Sequence, residues 1–294
     1  IWGWGDAKTW ASIELGVVTL IVFVVYQLRI ENPLLRLRIF ANRAFAVDSV
    51  ILFLLMIPFV PLFFFASEYA QISLGETAAE TGLYLLIFFA GFAIASQWGG
   101  KILDRSGARP TVILGCAVAA VGFFLWGRSL DQLSVGDQWY FIVLTGAGVG
   151  LILSPANTDA LNRVPRSRYG EATGITQTVR NFGSSLGLAV LGSVLILENK
   201  SNLESALGSL GVGSDRADAV ASCLSKGESA CQAVGQQLGA RAPKVFGSIV
   251  PEAFAASTQT VFYAFAGVMV VAFVVALVFM PGGKVSEPPP EDVA

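Results

Sequence analysis

Seven stretches of predominantly apolar residues, each long enough to cross a bilayer, constrain the fold of this chain more than any other feature. They lie at about 10–28, 45–67, 78–98, 111–130, 138–160, 171–197 and 256–280. Inside lipid a backbone finds no water, so a segment of this length spans as an α-helix, whose N–H and C=O groups bond to each other. Charged residues make up only 14% of the chain, against about 25% in soluble domains. The sequence therefore predicts an all-α integral membrane protein.

Basic residues between the runs predict the orientation of the helices. They follow the first, third and fifth runs, as Arg29, Arg36, Arg38 and Arg43, then Lys101, Arg105 and Arg109, then Arg163, Arg166 and Arg168. The connection after the second run has Glu68, Glu76 and Glu80 but no Lys or Arg. Because short Lys/Arg-rich loops stay in the cytoplasm, we expect the N-terminus outside, the C-terminus cytoplasmic and the segment 198–255 outside.

The two ends of the chain carry further expectations. An N-terminus placed outside without a basic, cleavable signal suggests helices upstream, so we expect the C-terminal part of a longer protein. The tail, 281–294, is polar and Pro-rich, which predicts a disordered cytoplasmic end.

The most specific motif lies between the third and fourth runs, at 99–110. Its key residues are Gly100, Asp104, Arg105, Gly107 and Arg109. Glycine suits a sharp backbone turn, and we expect Asp104 to accept hydrogen bonds from the free N–H groups that open the next helix. The alternative is a short positive loop without a special role.

The pattern G-x-x-x-D-R-x-G-x-R resembles the cytoplasmic loop motif of the major facilitator superfamily. Pro110 departs from it, because a further basic residue is common there. In that family the loop acts as a conformational latch between inward- and outward-facing states, and the resemblance implies the same for 99–110.

Three other segments narrow the resemblance: 31–43, 146–155 and 164–183 look like parts of the fourteen-helix drug:proton antiporters of the EmrB/QacA type. The resemblance implies that 1–44 is a linker helix with a cytoplasmic connector. It also implies that 45–280 is a C-terminal six-helix bundle of inverted three-helix repeats. The missing N-terminal bundle, a small-molecule substrate and the lipid bilayer are then the expected partners, in the plasma (inner) membrane.

A polar stripe runs along the sixth helix. Thr173, Gln177, Arg180 and Ser184 fall on one face at helical spacing. A charge such as Arg180 near mid-bilayer depth costs several kcal/mol unless it faces water or a partner. We predict that the stripe lines the transport path, the alternative being a structural arginine paired between helices.

Glycines and prolines mark two other helices. Gly146, Gly148 and Gly150 give the fifth helix a thin face, and Pro155 removes one of its hydrogen bonds. These residues favour close packing, with a hinge as the second interpretation. In the second helix, Pro58 and Pro61 precede phenylalanines that either line a pocket for apolar substrates or face lipid or the core.

The chain has no histidine, so proton coupling must use carboxylates or water. Asp48, one turn into the second helix, either carries a proton or is an edge carboxylate beside Arg43. Asp159 and Arg163, four residues apart, predict a local ion pair. The resemblance places the main coupling carboxylate in the N-terminal bundle.

The cysteines divide by location. Cys116 lies within the fourth run and reads as a small apolar residue. Cys223 and Cys231 share the outside segment, where a disulfide is one of two open possibilities.

The sequence lacks the motifs expected of several classes of enzyme. Without histidine there is no Ser-His pair or H-E-x-x-H site, no phosphate-binding G-x-x-x-x-G-K-[ST] motif occurs, and nothing points to nucleic acid, a metal or a cofactor. We therefore expect a transporter rather than an enzyme: a proton-driven exporter of amphipathic drugs working by alternating access. A seven-helix membrane receptor or sensor is the alternative.

Overall fold

The computed structural model describes residues 6–30, 37–208, 219–220, 222–223 and 228–283. Within these ranges the chain is helical, and seven helical segments are long and apolar enough to cross a membrane. The prediction of an all-α chain with seven spans is confirmed. The expectations for the residues at 31–36 and for the tail from 284 onward fall outside the described residues.

The main helices begin and end close to the apolar runs. They are α1 (Ala7–Arg29), α2 (Arg43–Ile72), α3 (Ala78–Ser106), α4 (Ala108–Ser129), α5 (Val135–Asn162), α6 (Tyr169–Gly208), α7 (Glu228–Leu238) and α8 (Val250–Phe279). Short 3-10 turns lie at Leu37–Ala41, Leu130–Gln132, Arg166–Arg168 and Gly239–Arg241, and a helical turn at Ala242–Lys244 with a π turn at Val245–Ile249 leads into α8.

Side-chain caps fix the starts of two spanning helices. The Asn42 side chain accepts hydrogen bonds from the backbone N–H groups of Ala44 and Phe45 at the start of α2. Thr77 and Glu80 form a reciprocal capping box at the start of α3. Such caps satisfy backbone donors that the helix leaves free, so polar residues next to the apolar runs set the boundaries.

The six helices α2–α6 and α8 form one bundle around a shared apolar core. Helix α5 packs against α3 and α4, α2 packs against α6 and α8, and α4 meets α8 while α2 meets α5. If α2, α3 and α4 are exchanged with α5, α6 and α8, respectively, each of these contacts becomes a contact of the same set. Such symmetry is expected of an inverted pair of three-helix repeats. By contrast, nearly all side chains of α1 are exposed, and Gln27 is its buried exception.

Two sets of contacts define the ends of the bundle. At the basic end, Asn42 donates a hydrogen bond to the carbonyl of Arg163, and the Arg43 guanidinium lies over the ring of Phe279. At the opposite end, the Ser73 hydroxyl donates to the carbonyl of Pro251. The starts of α2, α4 and α6 therefore meet the ends of α3, α5 and α8 at the basic end.

The segment 198–255 contains more helix than its polar sequence suggests. Helix α6 continues to Gly208, where Leu203 and Leu207 are buried against Val245 and Val250. Ile72 at the end of α2 packs on the same apolar cluster. The described part of this segment thus forms a small helical layer that covers the opposite end of the bundle.

Candidate functional site

The motif at 99–110 is almost entirely helical. Helix α3 runs to Ser106 and α4 starts at Ala108, so the connection is the single residue Gly107. Gly107 has a φ of 84°, a left-handed conformation that favours glycine. The sharp turn expected of glycine in this motif therefore lies at Gly107, where a residue that accepts positive φ lets the chain reverse in one step.

The aspartate of the motif does not cap the next helix. Asp104 is exposed in the last turn of α3, and the start of α4 has no side-chain cap. Side chains on a helix lean toward its N-terminus, so Asp104 points back along α3 rather than toward α4. The predicted hydrogen bonds from the first N–H groups of α4 to the Asp104 carboxylate are absent.

The basic residues of the motif differ in their contacts. Arg105 is exposed, whereas Arg109 donates a hydrogen bond of 3.0 Å to the carbonyl of Leu277 near the C-terminus of α8. A guanidinium at that position satisfies a carbonyl and complements the negative end of the α8 dipole. Arg109 therefore joins the α3–α4 connection to the last helix, while the Cα of Gly100 faces open space.

The polar stripe on α6 lies beside the seam with α2. Thr173 and Gln177 are exposed, and Arg180 and Ser184 are half-buried. The Arg180 guanidinium is 3.5 Å from the side-chain oxygen of Gln177, and its Nε is buried without a hydrogen-bond partner. The stripe is thus continuous and open in the described part of the chain, and no cross-helix carboxylate is found at Arg180 there.

The glycines of α5 are contact points between backbones. A methyl group added at Gly146 would collide with the carbonyl of Phe88, one at Gly148 with the backbone of Ala119, and one at Gly150 with the carbonyl of Phe92. Pro155 is buried and faces Gly99 on α3. These contacts favour packing over the hinge interpretation.

Glycines also allow close backbone contact between α6 and α2. Methyl groups added at Gly183 and Gly187 on α6 would collide with the carbonyls of Phe53 and Ile57 on α2. The α2–α6 and α3–α5 seams are therefore both held by backbone-to-backbone approach, which small residues allow in membranes.

A buried group of charges lies where α2 meets α5 at the basic end. Asp48 is 1% exposed and Asp159 is 2% exposed. Arg163 forms a 3.1 Å ion pair with Asp159, which confirms the predicted local pair. The charged groups that act on Asp48 are Asp159 and Arg163, not Arg43, and no hydrogen-bond donor reaches either oxygen of Asp48.

A buried hydrogen-bond network at the opposite end was missed by sequence reasoning. Tyr84 donates to Gln138 at 2.9 Å and accepts from the indole of Trp126 at 3.0 Å. Gln138 also donates to Tyr69 at 2.7 Å, and Tyr69 donates to the carbonyl of Leu130 at 2.8 Å. The members of the network come from four different helices, so no local sequence pattern connects them. The one sequence signal is the presence of polar side chains within apolar surroundings.

Phenylalanines form a cluster between α2 and α3. Phe63 stacks on Phe89 and meets Phe88 edge-on, and Phe59 lies beside Phe88 and Phe92. Phe88 is fully buried, while Phe89 is exposed. The cluster serves as core on one side and presents aromatic surface on the other.

In the segment at the opposite end, the structure pairs Cys223 with Cys231 in a disulfide. Cys223 is buried, and the nearby Val220 belongs to the apolar cluster around Leu203 and Val245. Cys116 is a free, buried cysteine inside the bundle.

The sequence profile of the Major Facilitator Superfamily matches residues 8–188, more than half of the chain. The chain belongs to the major facilitator superfamily. It is therefore a multi-pass membrane protein of the major facilitator type, a family of transporters, which agrees with the prediction that it is not an enzyme.

Relatives of this facilitator carry names from drug resistance. It is 30% identical over 210 residues to the lincomycin resistance protein LmrB of Listeria monocytogenes, covering 70% of this chain and 44% of the relative. It is 32% identical over 206 residues to the multidrug resistance protein Stp of Mycobacterium tuberculosis, covering 69% and 37%. The tetracenomycin C resistance and export protein of Streptomyces glaucescens is 27% identical over 198 residues, covering 66% and 36%. The chain thus matches less than half the length of these relatives.

Proposed function

We propose that this chain forms one bundle of an exporter that moves amphipathic drugs or related small molecules out of the cell, across the plasma membrane, in exchange for protons. The proposal includes the finer placement within the fourteen-helix drug:proton antiporters. It also includes a second six-helix bundle as the partner that covers α6, and the basic end as the cytoplasmic side.

The observation that carries the proposal is the open polar stripe on α6. It provides hydroxyl, amide and guanidinium groups beside the apolar ring of Phe182, which is 59% exposed. A path for amphipathic molecules needs such mixed surfaces, because apolar walls hold the greasy part and a few polar groups orient the rest. The resistance and export functions in the relatives' names support the same substrate class.

The motif at 99–110 supports alternating access as the mechanism. Arg109 joins the α3–α4 connection to the end of α8 through one exposed hydrogen bond. A single bond of this kind is weak enough to break and reform when bundles rock against each other. In this proposal Arg109, Asp104 and Arg105 stabilise one of the two end states.

A susceptibility assay tests the proposed function. A strain lacking the full-length gene is compared with the same strain carrying it, in the presence of lincomycin, tetracenomycin C and amphipathic cations. Restoration is expected to raise the inhibitory concentration of at least one compound, and an uncoupler of the proton gradient is expected to abolish the energy-dependent efflux of that compound. Unchanged inhibitory concentrations for all compounds would contradict drug export.

The stripe is tested in the same assay with Arg180→Ala at matched membrane levels. We expect Arg180→Ala to lose most of the protection, because the remaining stripe has no cation. Thr178→Ala is the matched control, since Thr178 lies on the same helix, is exposed and bonds only its own helix through the carbonyl of Gly174. Equal protection by both variants would show that Arg180 has a structural role only.

The family match does not favour a seven-helix receptor, the second function that the sequence left open. A receptor would change no inhibitory concentration through efflux, so the same assay separates the two functions.

A further inference from the structure

The group formed by Asp48, Asp159 and Arg163 has an imbalance that packing does not explain. Two carboxylates and one guanidinium leave one uncompensated negative charge in a buried place. Burying an unpaired charge costs far more free energy than burying a neutral group. A fold that keeps both aspartates here must supply something that removes this charge.

The hydrogen bonds point to what is missing. Asp159 accepts from the Nε and a terminal nitrogen of Arg163, each at 3.1 Å. Asp48 faces Asp159 across the α2–α5 contact, and both of its oxygens are buried without a donor. Two carboxyl groups in contact form a hydrogen bond only when one of them carries a proton, because an ionised carboxylate only accepts.

Among the residues whose side chains the structure describes, Arg163 is the only cation that acts on Asp48. Helix α8 has Glu252 as its sole charged residue, at its opposite end. Arg43, at the start of α2, lies over the ring of Phe279. The start of α6, which also packs near this place, brings Tyr169 and Glu171, neither of which is a cation.

We propose that Asp48 and Asp159 form a proton-binding site that holds one shared proton, while Arg163 balances the remaining negative charge. The bound proton sits between a carboxyl on α2 and a carboxyl on α5. Loss of the proton leaves two negative charges facing each other across this contact, which destabilises the contact. Occupancy of the site therefore stabilises the α2–α5 contact at the basic end.

The site deepens the proposed function, and its use in antiport rests on that function. The proton itself does not, because protonation of the pair follows from burial and charge in this bundle alone. Among the described residues, the site also lies where α2 and α5, the first helices of the two sets of three, contact each other through charged side chains.

Infrared spectroscopy of the purified full-length protein in lipid tests the proposal. A protonated carboxyl gives a C=O stretching band that a carboxylate lacks. We expect the wild-type protein at neutral pH to show this band, and growth on carboxyl-¹³C aspartate to shift it. The wild-type minus Asp48→Asn difference spectrum should contain this band, because the amide replaces the shared proton as the donor to Asp159 and the bands of other protonated carboxyls cancel.

The matched control is Asp137→Asn, an exposed aspartate in the first turn of the same helix α5, and it should keep the band. Should Asp48→Asn fail to fold, Asp159→Asn takes its place, because Arg163 is then free to pair with Asp48 and the same difference band is expected. Absence of the aspartate band in the wild-type protein, or its absence from the difference spectrum of the folded variant, overturns the site. The readout needs no transport, so a normal band with failed drug export would contradict the proposed function and leave the site standing.

Discussion

At the scale of single residues, glycines determine how closely the helices of this bundle pack, because they have no side chain. Gly146, Gly148 and Gly150 of α5 let two neighbouring backbones approach, and each position faces a different contact on α3 or α4. Close approach of this kind is a main source of stability between helices in lipid, where apolar burial between helices contributes little.

Gly146→Ala tests this contact. The added methyl group meets the carbonyl of Phe88, so α3 and α5 must separate, and we expect a loss of about 1–3 kcal/mol in stability, typical of overpacking. The measurement is the thermal unfolding midpoint in detergent. Gly82→Ala is the control, because the Cα of Gly82 in α3 faces open space, and its midpoint should stay the same or rise. Equal shifts in both variants would show that the α3–α5 contact is not tight.

Residue-scale chemistry was only partly predictable from the sequence. The Asp159–Arg163 pair follows from helical spacing alone. The partner of Asp48 does not, because Arg43 is near in sequence while Asp159 is brought near only by the packing of α2 on α5. Asp104 was misplaced for a related reason: a one-residue turn at Gly107 keeps it on α3.

At the scale of helices, the opposite end of the bundle is tied by polar atoms rather than by glycine. Gln138 of α5 contacts Tyr84 of α3 and Tyr69 of α2, and Trp126 of α4 completes the network. Each of these side chains is buried with its polar atom satisfied. Four helices therefore share one set of hydrogen bonds, and the loss of the central member affects all of them.

Gln138→Leu is expected to lower stability by about 1–3 kcal/mol for each buried donor or acceptor that it leaves unsatisfied. The Tyr84 hydroxyl loses its acceptor and Tyr69 loses its donor. Thermal unfolding in detergent gives the size of the loss. Gln71→Leu serves as control, because Gln71 is exposed on α2 and bonds only Ser67 of its own helix. A midpoint no lower than that of the control would argue against the network.

Helix boundaries show where sequence patterns suffice and where they do not. The apolar runs located all seven spans, because a bilayer imposes a minimum length that few other structures need. The apolar run that ends near 197 does not include the last turns of α6, because Leu203 and Leu207 occur among polar residues. These two leucines are buried by contact with Val245 and Val250. That contact joins distant parts of the chain and leaves no local signal.

At the scale of the whole molecule, α6 gives the described part of the bundle a surface that is more polar than those of other spanning helices. The exposed faces of α1 and α8 are predominantly apolar, as lipid requires, whereas α6 exposes Thr173 and Gln177 next to half-buried Arg180. Polar groups within spanning helices mark water-filled paths or helix contacts more often than lipid-facing surface.

Cysteine accessibility distinguishes these surfaces. Gln177→Cys in the full-length protein is expected to react with a water-soluble, membrane-impermeant maleimide from one side of the membrane, and a transported compound should protect it. Val274→Cys on α8 is the control, since Val274 is 49% exposed among apolar neighbours and should stay unlabelled in lipid. The cysteines of this chain add little background, because Cys116 is buried and the other two form a disulfide. An unreactive Gln177→Cys would place the stripe against lipid or protein instead of water.

The pairing of helices has a consequence for how the protein is made. Helices α3 and α4 follow each other in the chain yet barely touch, and each packs mainly on α5. As the ribosome delivers the helices in order, α3 and α4 enter the bilayer before the surface that holds them exists. The nearest contacts of three glycines on these helices come from α5, namely those of Gly91, Gly115 and Gly122. These contacts cannot form until α5 has been synthesised. The synthesis of α5 therefore provides the first surface on which both α3 and α4 can pack, and α6 and α8 complete the bundle after it.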